Sequence, residues 1–116
     1  MPTTITTKTA IEKSTFVVTA SFVDAAGVAA VPKSGLNWTL TNSSGTVINS
    51  RSSVVIAPAA SVDIVLSGLD LAMQTGERGK VRRVLTIQGT YDSDEGTGLQ
   101  INDECVFLLQ NLLVVT

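Results

Sequence analysis

The sequence predicts an all-β domain, a Greek-key β-sandwich of about seven strands. Three observations carry this. Apolar residues recur at every second position in several short runs. Clusters of Gly, Pro, Asn, Asp and Ser interrupt those runs roughly every 8–12 residues. The one helical candidate, Ser67 to Met73, is too short to stand as an independent helix.

The elements follow in chain order. Thr3 to Lys8, rich in Thr with one Ile, reads as an edge strand. In the next run Phe16, Val18, Ala20 and Phe22 point one way and Thr15, Val17, Thr19 and Ser21 the other, which is a half-buried strand. Asp24-Ala-Ala-Gly27 ends it as a turn, and Pro32-Lys-Ser-Gly35 breaks the chain again. Leu36, Trp38 and Leu40 then alternate with Asn37, Thr39 and Thr41. Asn42-Ser-Ser-Gly45 predicts a tight reversal, with Thr46 to Ser50 returning as the partner strand. Val54 to Ile56 is a short strand stopped by Pro58, and Val62, Ile64 and Leu66 alternate with Asp63 and Val65 in the next. Gln74 to Gly79 reads as a loop. Val81 to Tyr91 is a long strand with Leu85, Ile87, Gly89 and Tyr91 on one face. Asp92 to Gly98 reads as a polar loop, and Asn102 to Val115 as the last strand. Trp38, on the third main strand, takes the place of the core Trp of immunoglobulin-like domains, although the inter-sheet cysteine pair is absent. A small barrel is the alternative architecture.

Composition narrows the function classes. The 116 residues suit one domain able to bury a core without disulfides or metals. Hydrophobic residues make up 44% and charged residues 16%; the charged share is below the usual quarter. That sparse charge points to extensive contact with other subunits. The net charge of −2 gives no pull toward nucleic acid or an anionic membrane. Arg78, Lys80, Arg82 and Arg83 form one basic cluster, read as a solvated rim balancing Glu77 and nearby acids. The single Cys105 rules out an internal disulfide and suits a reducing compartment; in its apolar run it reads as a buried small hydrophobe. The first residues lack the apolar core of a signal peptide, so synthesis in the cytoplasm without classical export is expected. The apolar stretch from Cys105 to Val115 is too short to span a membrane.

Most familiar chemistries lack their parts. With no histidine, the usual general base, the commonest metal ligand and the Ser-His-Asp arrangement all go. One Cys and no His leave no zinc set, and Gly76-Glu-Arg-Gly79 lacks the Gly-Lys-Ser/Thr ending of a phosphate loop. Asp92, Asp94 and Asp103 are weak calcium candidates, because alternating carboxylates offer hard oxygen ligands; Asp is equally a plain turn residue. Paired carboxylates could serve a glycosidase, but aromatics are only 4% and all of them sit at inward positions. No enzyme activity and no cofactor is expected. The strongest functional clue is the last strand. Cys105, Phe107, Leu109 and Leu113 alternate with Val106, Leu108, Leu112 and Val114, so both faces are apolar. A strand apolar on both faces must be covered on both. Val106, Leu108, Leu112 and Val114 are therefore interface candidates, as are Thr3, Ile5 and Thr7 on the predicted edge strand. The cover is either a neighbouring chain or a loop or start strand of the same subunit.

The span from Lys13 to Leu112 resembles a family of small proteins from tailed bacteriophages and prophages. The resemblance rests on Lys13-Ser-Thr-Phe16, Asn37-Trp-Thr-Leu-Thr-Asn42, Gly45-Thr-Val-Ile-Asn-Ser-Arg51, Ile64-Val-Leu-Ser-Gly68, Arg83-Val-Leu-Thr-Ile87, Thr90-Tyr-Asp-Ser-Asp94 and the closing Phe107 to Leu112. It implies a virion component with an immunoglobulin-like fold, acting as a tail, collar, adaptor or head-decoration subunit, and it supplies no catalytic residues. The implied partners are other virion subunits, including further copies of the chain. A module for a host-surface ligand such as a glycan, assisted by calcium, is the alternative.

Overall fold

The first strong alternation, Phe16 to Phe22, becomes a strand whose even-numbered side chains are all buried. The structure, a computed structural model, describes residues 3–6, 9–23, 26–33, 35–93 and 96–111; for residues 3–6 and 93 it describes the backbone alone. The described elements are β1 (Thr3–Thr6), β2 (Ala10–Ile11), β3 (Thr15–Phe22), β4 (Asn37–Asn42), β5 (Val54–Val55), β6 (Ser61–Ser67), a 3-10 turn (Gly68–Leu71), β7 (Lys80–Ser93) and β8 (Gly96–Gln110). The protein is all-β, and among the described residues no helix is long and apolar enough to cross a membrane.

The strands form two sheets. One is three-stranded, in the order β1-β3-β6, and antiparallel throughout. The other is five-stranded, in the order β2-β8-β7-β4-β5. Its pairs are antiparallel except β2 with β8, which is parallel. The chain start thus serves both sheets, β1 in one and β2 in the other. The inner faces meet in one core. Phe16 of β3 and Phe107 of β8 reach across it with ring centroids 4.9 Å apart. Val18, Ala20, Leu40, Leu66, Leu85, Ile87 and Leu109 are wholly buried around them, and Trp38 and Tyr91 lie inside as expected.

β7 and β8 form a hairpin of 14 and 15 residues. At about 3.4 Å per residue each arm runs close to 50 Å. The molecule measures 52 × 21 × 21 Å, so this hairpin sets its long axis. Gly89 sits in the second half of β7, where Leu36 fills the space a side chain would take. A Cβ there would lie 2.9 Å from Leu36 Cδ1 and 3.3 Å from Leu36 Cα.

Two expectations are corrected. Thr46 to Ser50 does not return as a strand. The Asn42 side-chain oxygen accepts hydrogen bonds from the Ser44 and Thr46 amides and closes the reversal. Only Val47 then bridges back, to Thr41. Asn49 and Ser50 adopt left-handed backbone, φ 52° and 56°, and turn the chain a second time. The segment Asp92 to Gly98 is not an open loop either. β7 continues to Ser93 and β8 begins at Gly96, with a register shift between Tyr91 and Ser93. Gly98, at φ +62°, donates its amide to Asp92 Oδ1 at 2.8 Å, so the described residues of this segment become part of the hairpin end.

Candidate functional site

β8 presents two different faces. Cys105, Phe107 and Leu109 enter the core, while Glu104, Val106 and Leu108 face outward. Val106 is 49% exposed and Leu108 38%. The outer face predicted to need a cover is thus open in the single chain among the described residues. Strand register places its neighbours. Val106 pairs with half-buried Val84, Val84 with Thr41, and Thr41 bridges to exposed Val47. Paired residues share a face, so Val47, Thr41, Val84 and Val106 form one row across the sheet. Leu108 lies beside this row, opposite Arg82.

Charge flanks the apolar row on both sides. Toward the open end of the hairpin come Arg82 and then Lys80, both exposed. Toward its closed end comes exposed Glu104, opposite Thr86. Thr86, Asn102, Asp103 and Glu104 line a shallow groove there. β2 pairs with β8 only at Leu109 and Gln110. Among the described residues, no strand pairs with that edge of β8 from Gly96 to Leu108.

The predicted interface residues do not form one patch. Thr3 and Ile5 belong to β1, the edge strand of the three-stranded sheet. Val106 and Leu108 belong to the other sheet. Thr7, Leu112 and Val114 lie outside the described residues. A second apolar pair that the sequence reading did not single out, Val17 with Val65, is exposed on the outer face of the three-stranded sheet. Val17 stands on the outward side of its alternation, but its pairing with Val65 is set by register, which the sequence does not display.

The calcium candidates separate. Asp92 accepts from Gly98 and lies 3.5 Å from Lys33 Nζ. Asp103 accepts from the Glu104 amide at 2.9 Å. Asp103 pairs with Ile87, five residues before Asp92 on β7, a separation of about 17 Å along the strand. Asp94 lies outside the described residues. Among the described residues, no three His, Cys, Asp or Glu side chains gather where a metal could be held.

The basic cluster is not all rim. Arg83 is fully buried and grips Glu77 through both terminal nitrogens, at 2.9 and 2.6 Å. Its position on the Leu85 and Ile87 side of β7 was legible from parity alone. Cys105 is buried as expected; burial, then the nearby charge of Asp103, pushes its thiol pKa up to about 11, which suits packing rather than nucleophilic attack. A scan against family models, a search of curated proteins and a search of solved structures each found no match to this chain.

Proposed function

We propose that the chain is a structural subunit of a tailed-bacteriophage virion, a tail, collar, adaptor or head-decoration component, acting through protein–protein contacts. The observation that carries the contact role is the row of Val84 and Val106, with Leu108 beside it, which among the described residues is uncovered and lies next to an unpaired strand edge. Exposed apolar surface next to an open edge is what a subunit interface offers before its partner arrives. The phage assignment rests on the sequence resemblance of residues 13–112. An immunoglobulin-like Greek-key sandwich is the finer fold reading. It is supported by the crossings from β3 to β4 and from β6 to β7, each leaving the three-stranded sheet for the five-stranded one. The partners are further virion subunits, met in the cytoplasm of the host where the protein is made. Among the described residues a calcium-assisted glycan site has no support in the geometry, since Asp92 and Asp103 stand far apart and each accepts a backbone amide.

The test is particle association. Particles from a lysate of the host are banded on a density gradient and their proteins identified by mass spectrometry. The chain is expected in the particle band at a fixed ratio to the major structural protein. A chain that stays entirely in the soluble fraction overturns the virion reading.

A further inference from the structure

We propose that two copies of this chain associate face to face across the outer surface of the five-stranded sheet, about a two-fold axis that lies in that face along the Val84–Val106 row, with Arg82 of each copy diagonal to Glu104 of the other and within its reach. This deepens the contact role proposed above and rests on it. The argument is one of sign and position. Along the hairpin, Arg82 lies two residues to one side of the Val84–Val106 pair and Glu104 two residues to the other. Each is therefore about 7 Å from the centre. Among the described residues neither side chain has an ion-pair or hydrogen-bond partner.

A two-fold contact brings a patch against itself, so the patch must be its own complement. A face with one sign at both ends would repel its copy. This face carries cations at one end (Arg82, with Lys80 beyond it), an acid at the other and an apolar centre between. Turned over about an axis lying in the face and running across the strands, the basic end of one copy covers the acidic end of the other. Val84 and Val106 then meet their counterparts at the centre. Sheets packed this way keep their strands within roughly 30° of a common line, and the reach of Arg and Glu spans the remaining offset. The contact uses the face and leaves the free edge of β8 for a different neighbour.

Charge reversal tests it. Wild type, Arg82→Glu, Glu104→Arg and the double variant are compared by sedimentation velocity at about 50 mM and about 1 M salt, where screening differs severalfold. Wild type is expected as a dimer. Each single reversal is expected to raise the dimer dissociation constant at least about tenfold at low salt, and the double variant to return it to near the wild-type value. At high salt the four proteins should converge. Both sites are exposed, so thermal melts of the four at high salt, where their association is alike, should coincide, and recovery in the double variant excludes misfolding as the cause. A monomeric wild type, singles that stay fully dimeric, or a double variant that stays dissociated each overturn the two-fold contact. Particle association with no charge effect removes this contact and leaves the virion reading. A charge-dependent dimer absent from particles does the reverse.

Discussion

Asp70 is 2% exposed and accepts from Arg51 Nε at 2.7 Å, Asn49 Nδ2 at 2.8 Å and the Ser67 amide at 3.2 Å. It ties the second turn after β4 to the 3-10 turn after β6. Burial favours its neutral form, but the hydrogen bonds from Arg51, Asn49 and Ser67 outweigh that and hold the carboxyl below the usual carboxylate range. Hydrogen bonds from Arg83 likewise hold Glu77 low. A carboxylate whose folded pKa is lowered contributes stability that is complete above its unfolded value of about 4 and lost as pH falls from there through the folded value. Urea unfolding midpoints should therefore drop below about pH 4. Asp70→Asn should cost about 1–3 kcal/mol at neutral pH and flatten that acid limb; an unchanged limb would show that Asp70 does not carry it. Arg83 is a sharper case. Its guanidinium is fully buried, and among the described residues Nε has no hydrogen-bond partner even with Glu77 in place. Glu77→Ala leaves a buried charge uncompensated and should cost about 3–5 kcal/mol, whereas Glu77→Leu combined with Arg83→Met should cost less than Glu77→Ala alone. Chemical denaturation of the three proteins checks the order.

At the level of elements, the long hairpin depends on close approach at Gly89. Gly89→Ala would force its Cβ onto the backbone and side chain of Leu36, which immediately precedes the Trp38 strand. A loss of about 1–3 kcal/mol is expected, read as a lowered melting temperature; an unchanged or raised one would mean that Leu36 yields freely. Gly89 was legible as an inward position, but its neighbour was not, because Leu36 lies 53 residues away in sequence and reaches it through the β4–β7 pairing. β3, β4, β6 and the inner face of β7 were legible for a simple reason. Each buries one face, and period-two alternation records that directly. Thr46 to Ser50 was not, because its path is set by the Asn42 side chain and by left-handed Asn49 and Ser50. Those choices leave no periodic trace. Arg83 is the opposite case: the alternation points it inward, and only the Glu77 contact, which the sequence does not display, reconciles its charge with the core.

On the scale of the whole molecule, part of the candidate surface could be read from the chain. Val106 and Leu108 announced themselves through an apolar strand with too many faces to cover. Val84, Arg82 and Glu104 joined them only through strand register. Val106→Asp and Leu108→Asp place a charge where solvent reaches it, so each should change unfolding free energy by less than about 1 kcal/mol. Each should also abolish self-association seen by light scattering. Phe107→Asp, by contrast, puts a charge in the core and should unfold the chain; a Val106→Asp protein that unfolds as readily would mean the outer face is not free. One small feature has a mechanical consequence. β2 lies parallel to β8 at Ala10–Leu109 and Ile11–Gln110, and the Glu12 amide and carboxylate extend this ladder to Gln110 and Asn111. The chain entering β2 and the chain leaving β8 therefore lie at opposite ends of one short ladder. Tension drawing those flanks apart runs along the strands and loads the bonds together, in shear, instead of peeling them singly. That short clip shares axial load among its bonds and lets go as a unit, as a rivet does, rather than stretching.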